Sequence, residues 1–243
     1  MTDAKLYEGP FDREQWPDRL PATVVDARGE RRIHGYCARG DLADGHGIAA
    51  VAWLALRGEL PSTSEHEAFN TALVLLAPVH VGESGSHAAL LARIVGSRPS
   101  AIVSVAATAL AEQGRSERES LAAWTAWLDA PAANLAEIPP CALEREPSPE
   151  AIEDQRALAA RTTTWFGDAR ALPEAPVLSR IACAHALLHR LGFRDPYAIE
   201  AVVVWARLLV VIAESTTVPI GGFREYPARL PDYRYVDDEG QSK

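Results

Sequence analysis

The amino-acid sequence predicts an all-α protein built from many helices. Three observations predict this class: apolar residues recur at helical spacing through most of the chain, capping residues stand before several of these segments, and glycine or proline ends them. One short strand is predicted from Thr23 to Ala27, with a turn after it. Residues 1–22 are predicted to form an extended arm, since three prolines there oppose helix: Pro10, Pro17 and Pro21.

The first half of the chain holds five predicted helices. The first has an apolar face that starts at Ile48, and Gly58 and Pro61 end it. The second follows a serine cap, either Ser62 or Ser64. The second to fifth predicted helices are Glu65–Leu76, Ser86–Val95, Ala101–Glu112 and Ser116–Leu128.

The second half begins with a segment of different composition. Residues 129–149 contain five prolines and no apolar period, which predicts a linker or long loop. A polar helix over 150–164 and an apolar helix over 177–191 are predicted to follow. Pro196 opens the last long helix, and Asp195 is its predicted cap.

Composition excludes several classes of function. The chain has 33 acidic residues against 24 lysines and arginines, a net charge of −9, which opposes binding to a nucleic-acid backbone. Its three cysteines form no CxxC pair and indicate free thiols in a reducing compartment. The first 21 residues lack a leader pattern, and the longest apolar run, Ala198 to Ala213, contains Glu200 and Arg207 and is too short to span a bilayer. We therefore expect a soluble, cytoplasmic protein that binds neither nucleic acid nor membrane.

Two segments of the first half carry a resemblance to a known family. Within Arg32–Pro61, His34-Gly-Tyr and Asp41-Leu-Ala lead into a helix that ends in Gly-Glu-Leu-Pro. Further on, His80-Val-Gly-Glu-Ser-Gly-Ser precedes one helix and Ser100-Ala-Ile-Val-Ser-Val-Ala-Ala lies in the next. The first segment resembles the one by which citrate synthases enter their large helical domain. The second is similar to the acid-binding segment that follows in that family and in its short citryl-CoA lyase-like members.

The resemblance covers about Val24 to Glu112 and returns near the end of the chain, at Leu191-Gly-Phe, Val204–Arg207 and Arg229-Leu-Pro-Asp-Tyr. It implies a citrate synthase-like multi-helical large domain with a reduced small domain. The implied division is an extended arm over 1–22, the first part of the large domain over 23–128, a linker and reduced small lobe over 129–176, and C-terminal helices and a tail that complete the large domain over 177–243.

The catalytic landmarks of the family are missing from the middle of the chain. Where the family has Gly-Pro-x-His-Gly-Gly, with the histidine that polarises the acyl-CoA carbonyl, this chain reads Ala111-Glu-Gln-Gly-Arg-Ser-Glu. Ile181 falls at the position of the aspartate that takes the α-proton. Thr217-Val-Pro stands in place of a Glu-Gln-Arg. The resemblance therefore implies that the enolising histidine and aspartate are absent.

The resemblance also points to residues that would hold a substrate. His80 matches the histidine that binds the 2-oxo acid, and an imidazole beside a helix N-terminus suits a carboxylate. Asp168 and Arg170 lie in Trp-Phe-Gly-Asp-Ala-Arg, similar to an Asp-x-Arg segment of the family, and Arg224 or Arg229 would match arginines that hold substrate carboxylates. His80 and Asp168 are thus candidate catalytic residues, and His80, Arg170, Arg224 and Arg229 candidate substrate-binding residues. The alternative for each is a structural role at a helix start or on the surface.

Other reactive side chains do not form a convincing site. His185 and His189 have a spacing that a metal accepts, but the glutamate of a His-Glu-x-x-His motif is missing and helix packing is the favoured interpretation. Cys37 near His34 is disfavoured as a nucleophile. The sequence predicts no metal site and no covalently bound cofactor, and the resemblance implies a coenzyme A thioester as a substrate.

Three functions remain open from the sequence. The first is a catalytically degenerate subunit of an acyl-CoA and 2-oxo acid condensing assembly, present as a homodimer or as a heteromer with a full-length citrate synthase-like paralogue. The second is an active citrate synthase-like acyltransferase or citryl-CoA lyase that uses displaced residues. The third is a module that binds a 2-oxo acid, a citrate-like ligand or an acyl-CoA without turnover. The first is favoured because the helical core is kept while the enolising residues are not, and whether the chain is an enzyme stays open.

Overall fold

The computed structural model describes residues 22–26, 29–130, 138–217 and 219–221. These residues belong to two compact units, and the division falls between Leu60 and Pro61. Nearly all of the predicted arm lies outside the described residues, as do the candidate residues Arg224 and Arg229. The predicted division into an arm, two parts of a large domain and a small lobe stays a prediction.

The first unit contains a small sheet that the sequence predicted in part. Strands β1 (Val25–Asp26), β2 (Arg32–Ile33) and β3 (Tyr36–Cys37) are antiparallel and lie in that order. The second and third were not predicted. They form because His34 and Gly35 both have positive φ, of 46° and 88°, as a tight hairpin turn requires.

Short helical segments follow the sheet. One turn of π-helix (Ala38–Leu42) and the three-residue α1 (Ala43–Gly45) lead into α2 (Ile48–Arg57). Gly58 ends α2 in the left-handed conformation, with its N–H donating to the carbonyl of Leu54 at 2.8 Å. The predicted end of this helix is therefore confirmed.

The described residues of the second unit form seven α-helices. They are α3 (Thr63–Leu76), α4 (Ser84–Ile94), α5 (Pro99–Ser120), α6 (Ala122–Asp129), α7 (Pro149–Phe166), α8 (Arg180–Arg190) and α9 (Pro196–Thr216). Two 3-10 turns, Pro140–Ala142 and Asp168–Arg170, flank α7. In the core, α5 packs against α4 and α9, and α3 packs against α8. The predicted all-α class is confirmed.

The caps predicted for two helices are present. The hydroxyl of Ser62 accepts from the N–H of Glu65, and the carboxylate of Glu65 accepts from the N–H of Ser62 at 2.9 Å, which completes a capping box at α3. The carboxylate of Asp195 accepts from the first free N–H groups of α9, and Pro196 occupies the first helical position. These helix starts depend on residues adjacent in sequence, which is why the sequence could predict them.

The predicted break between the fourth and fifth helices is wrong. The sequence predicted a helix that ends at Glu112 and a second one from Ser116, whereas α5 runs without a break to Ser120. Gly114 lies inside it because α9 passes close by: a Cβ at Gly114 would stand 3.1 Å from Cγ1 of Val203. This glycine allows two helices to approach each other and does not end one.

Helix α9 is longer and more exposed than the sequence suggested. It has 21 residues, and an 18-residue window within it has a mean hydropathy of 1.8, so by length and composition it could cross a membrane; about 22% of that window is buried. The prediction that this run is too short is therefore wrong as to length. The helix packs against α3, α4 and α5, and its Arg207 is only 1% exposed. A helix in a packed core passes the same length and composition test.

Candidate functional site

His80 lies in the loop between α3 and α4, and its contacts shape the start of α4. Its Nδ1 accepts from the N–H of Gly82 at 3.1 Å, and its own N–H donates to Oε1 of Glu83 at 2.7 Å. The imidazole is exposed. Because Nδ1 is an acceptor, the proton of the ring lies on Nε2.

A polar cluster lies between this loop and the core helices; we call Glu83, Gln113, Glu117, His185 and Arg207 the Glu117 cluster. Oε1 of Glu117 accepts from NH1 of Arg207 at 2.8 Å, and Oε2 accepts from NH2 at 3.0 Å. Nε2 of Gln113 donates to Oε1 of Glu117 at 3.2 Å and to the carboxylate of Glu83. The cluster joins the starts and middles of α4, α5, α8 and α9.

Arg207 is the most buried charge of the cluster. Its Nε donates to the carbonyl of Leu76 at 3.0 Å, so all three guanidinium nitrogens have acceptors within the chain. A bidentate carboxylate is the strongest partner that a protein offers to arginine. A ligand carboxylate could bind Arg207 only by displacing that of Glu117.

A second arginine holds the loop that carries His80. Arg180, at the start of α8, donates to the carbonyl of Leu75 and, at 3.0 Å, to that of Pro78. Burial lowers the pKa of Arg180, and the charge of Arg207 nearby lowers it further. Both arginines thus bind main-chain carbonyls at the end of α3.

The two histidines of α8 have different surroundings. The side chain of His185 is 6% exposed, and its Nε2 lies 4.0 Å from Oε2 of Glu117. Burial, with smaller contributions from Arg207 and Arg118, lowers the pKa of His185 to about 4, so the imidazole is neutral at pH 7. Nε2 of His189 instead lies 3.0 Å from Asp129. In the part of the chain that the structure describes, no three metal-ligating side chains are grouped to hold a metal ion.

Asp168 and Arg170 lie in the 3-10 turn after α7, and both are exposed. NH2 of Arg170 donates to the carbonyl of Arg190 at 2.7 Å. Arg190 is the last residue of α8, whereas Arg180, which holds the His80 loop, is the first. At 1.5 Å per residue these two ends are about 15 Å apart. The structure therefore does not place Asp168 and Arg170 beside His80.

The positions of the missing family landmarks are now visible. Residues 111–117 form continuous helix within α5, so no loop exists there to present a histidine. Arg115 is exposed and pairs with Glu112 on the same helix. Ile181 lies in the first turn of α8 and offers no proton acceptor.

The most buried pair of the site, Glu117 with Arg207, was not singled out from the sequence. A signal existed, since an arginine within an apolar helix needs a partner if it is buried. Nothing local identifies that partner, because Glu117 lies 90 residues earlier in the chain.

A cavity of about 500 Å³ lies between α3, α7 and α8. Two of its polar side chains are already engaged: Arg161 donates to the hydroxyl of Thr71 at 2.8 Å, and Gln155 donates to the carbonyl of Pro173 at 2.6 Å. Burial raises the pKa of the Cys183 thiol to about 12, so it is protonated at pH 7 and is no nucleophile.

Comparison with known proteins yields a fold and no sequence family. No protein-family model matches the sequence, and a search of curated proteins finds no match either. The structure is similar to that of citryl-CoA lyase from Hydrogenobacter thermophilus, with a TM-score of 0.56 and 17% identity over 90% of this chain and 95% of that one. The chain has a citrate synthase-like fold.

A second solved structure with this citrate synthase-like fold is ATP citrate lyase from Methanothrix soehngenii in complex with citrate and coenzyme A. Its TM-score is 0.54, at 16% identity over 93% of this chain. This chain spans 43% of that one. Identities this low establish the fold alone, which confirms the predicted fold class.

Proposed function

We propose that this citrate synthase-like chain is a catalytically degenerate subunit that acts by association, with a second copy of itself or with a full-length citrate synthase-like chain. The observation that carries the proposal is the unbroken helix α5. It continues through the segment where the resemblance implies a loop with the enolising histidine. An α-proton cannot be removed efficiently without a donor at the thioester oxygen and a base near the methyl group.

The state of Arg207 supports the same proposal. This arginine lies in the helix that resembles the arginine-bearing helix of the family, and the carboxylate of Glu117 occupies both of its terminal nitrogens. The chain's own glutamate thus stands where a substrate carboxylate would pair. Catalysis with this arginine would require the pair to open at each turnover.

Exposed apolar side chains support a role in association. Val103 and Val105 on α5 and Leu209 and Val210 on α9 are exposed, Leu209 by 77%. The two helices are antiparallel, since Gly114 lies against Val203 while residues near 102 and 106 share a core with Val211. The four exposed residues therefore lie near one end of the pair. Exposed apolar side chains of this size at one end of a helix pair are the feature that supports association there.

An activity assay tests the proposal. Purified protein is incubated with acetyl-CoA and oxaloacetate, and separately with citryl-CoA, while free coenzyme A thiol is followed. We expect no release above the buffer rate, with a citryl-CoA lyase as positive control. Turnover at ordinary enzymic rates would refute the proposal and favour an active enzyme, and loss of that turnover in His80→Ala would assign it to displaced residues.

A second candidate function is the binding of a citrate-like acid or of a coenzyme A thioester without turnover. The observation that favours it is the exposed imidazole of His80 beside the N-terminus of α4, together with the citrate and coenzyme A bound by the ATP citrate lyase. Calorimetry with citrate, oxaloacetate and coenzyme A tests it. Heat of binding that is lost in His80→Ala supports this function, and the absence of heat with all three ligands excludes it.

We propose further that the protein is soluble and cytoplasmic and binds neither membrane nor nucleic acid. The net charge of −9 opposes binding to nucleic acid. The ion pair of Arg207 in α9 with Glu117 opposes a membrane position, because a helix surrounded by lipid would expose this arginine to hydrocarbon. Recovery of the expressed protein in the supernatant after centrifugation, without detergent, is the expected result. Recovery in the membrane fraction would contradict it.

A further inference from the structure

A cavity of about 390 Å³ lies between α6 and the corner where α8 leads into α9. One wall is apolar and is formed by Ala122, Ala126, Leu188, Phe193, Pro196 and Ile199. Charged and polar side chains stand at two levels, around His185 and around His189, which are one turn of α8 apart. A cavity of this size suits a small ligand with an apolar body.

At the level of His189, one carboxylate lies close to both basic side chains. Oδ1 of Asp129 lies 3.0 Å from Nε2 of His189 and 3.6 Å from NH2 of Arg194. The carboxylate of Asp129 therefore balances the charge of Arg194, and a charged ligand would gain little at this end of the cavity.

At the level of His185, two donor nitrogens have no hydrogen-bond acceptor within the described residues. Nε2 of His185 is buried and has no hydrogen-bond partner in the described ranges, since the nearest carboxylate, that of Glu117, is 4.0 Å away and is held by Arg207. Within these ranges, Nε of Arg118 is buried and unbonded as well, while its NH2 lies 3.6 Å from Glu200 and 3.9 Å from Glu119. Nε2 of His185 and Nε of Arg118 can thus each donate to a ligand beside this cavity, whereas Nε2 of His189, which also has no hydrogen bond in the part of the chain that the structure describes, has the carboxylate of Asp129 at 3.0 Å.

The chemistry of these two groups selects the ligand. A buried donor without an acceptor is unfavourable, and a carboxylate can accept from an imidazole N–H and from a guanidinium at once. The apolar wall would exclude water from the rest of the ligand. We propose that this cavity binds a small monocarboxylate with a hydrocarbon body, with its carboxylate at Arg118 and His185 and its body against Leu188, Phe193 and Ile199.

This site is separate from the surface proposed for association. The exposed residues of that surface lie near the end of α5 and α9 that carries Val105 and Leu209, whereas the cavity adjoins Arg118 and Pro196 at the other end. The binding proposal does not depend on whether the chain is catalytically degenerate.

Calorimetry with hexanoate and hexan-1-ol tests the site, because the two probes share a hydrocarbon body and differ in charge. We expect hexanoate to bind at millimolar concentration and the alcohol to bind at least about tenfold more weakly. Arg118→Ala should weaken hexanoate binding about tenfold. Arg115→Ala is the matched control, since it removes an exposed arginine of the same helix outside the cavity, and it should bind as the unaltered protein does.

Three results would overturn the proposal: no saturable binding of hexanoate, equal binding of acid and alcohol, or Arg118→Ala that is folded by circular dichroism and binds hexanoate normally. If Arg118→Ala does not fold, the comparison of acid with alcohol on the unaltered protein decides the question. His185→Leu gives a second test, since it removes the other donor and places an apolar side chain of similar size in its position.

Discussion

Arg207 lies in an apolar helix, and its charge is balanced almost entirely by one residue. The guanidinium is 1% exposed, and Glu117 is the carboxylate that pairs with it. Breaking a buried pair by removing one partner leaves an uncompensated charge in a medium that solvates it poorly. Removal of either partner alone should therefore destabilise the α5–α9 contact.

Replacing Glu117 by Ala should lower the free energy of unfolding by about 3 kcal/mol or more, because Arg207 would remain buried and unpaired. Urea unfolding measures the change. Glu112→Ala is the matched control, since it removes an exposed glutamate of the same helix that pairs with Arg115, and it should cost no more than about 1 kcal/mol. Equal losses in the two variants would contradict the role of the pair.

The double variant Glu117→Ala/Arg207→Met should be more stable than Glu117→Ala alone. It removes both charges and places an apolar side chain in the space of the arginine, so that no unpaired group remains. The same unfolding measurement shows the recovery. A double variant no more stable than the single one would mean that the loss comes from packing and not from charge.

His185 makes stability depend on pH. Its pKa in the folded protein is about 4, against an unfolded value of 6.5, because burial and the charges of Arg207 and Arg118 disfavour the imidazolium. As pH falls below 6.5 the unfolded chain takes up a proton that the folded protein does not. Stability is therefore lost on acidification through this window, by roughly 3 kcal/mol at most.

The His185→Gln variant tests this prediction. Free energies of unfolding are measured for both proteins at about pH 7.5 and about pH 4.5, on either side of most of the window. The unaltered protein should lose more stability than the variant between these pH values. His46→Gln, which removes an exposed histidine, is the control. If both variants reduce the pH dependence equally, burial of His185 is not its cause.

Helix α5 depends on close contacts on two sides. Gly114 lets α9 approach, and Leu110, fully buried, fills the space beside Gly85 of α4. A Cβ on Gly85 would stand 2.8 Å from Cγ of Leu110, nearer than such atoms come in folded proteins. The distance between α4 and α5 is therefore set by a glycine on one helix and a leucine on the other.

Gly85→Ala should destabilise the protein by about 1–3 kcal/mol, although alanine favours helix, because the leucine has no room to move. In a Leu110→Ala background, Gly85→Ala should lower the free energy of unfolding by less, since the added methyl group fills part of the space that the leucine leaves. Unfolding of the two singles and the double measures this coupling. Gly45→Ala, with nothing within 4 Å of the added Cβ, is the control and should cost little. Additive effects would contradict the contact.

At the scale of the whole molecule, the exposed apolar surface of α9 and α5 is the basis of the proposed association. Most of α9 is apolar, yet about 22% of its apolar window is buried within the chain. Exposed apolar residues on α5 lie near the same end. Hydrophobic surface of this kind is stabilised when a partner covers it.

Leu209→Asp should lower the oligomeric state, because a charge at a covered apolar surface opposes its desolvation. Light scattering on the unaltered protein should give a mass of at least twice the 26.3 kDa of the chain, and the variant should give the monomer. Val74→Asp, which changes an exposed valine of α3, is the control and should leave the mass unchanged. A monomeric unaltered protein would rule out self-association, and size-exclusion after mixing with a full-length citrate synthase-like chain would then test the heteromer.

Much of the fold could be predicted because its signals are local. The caps of α3 and α9 and the end of α2 depend on residues within one turn of the helix end, so the sequence shows them directly. The continuous α5 could not be predicted in this way, since the sequence does not show that Gly114 faces another helix.

In the candidate site, too, local contacts differ from contacts between distant segments in how well the sequence predicts them. The sequence singled out His80 through a resemblance to the acid-binding segment of a family, and the contacts that shape its loop, to Gly82 and Glu83, are local. The separation of Asp168 and Arg170 from that loop depends on which end of α8 each one contacts, which no short pattern records.

By itself the sequence determined the helical class and most helix boundaries, since these follow from neighbouring residues. Only the tertiary structure decided that Glu117 pairs with Arg207, that His185 is buried without an acceptor, and that α9 leaves apolar surface exposed. Those features arise where segments distant in sequence meet, and the burial that sets their energies exists only once the helices have packed.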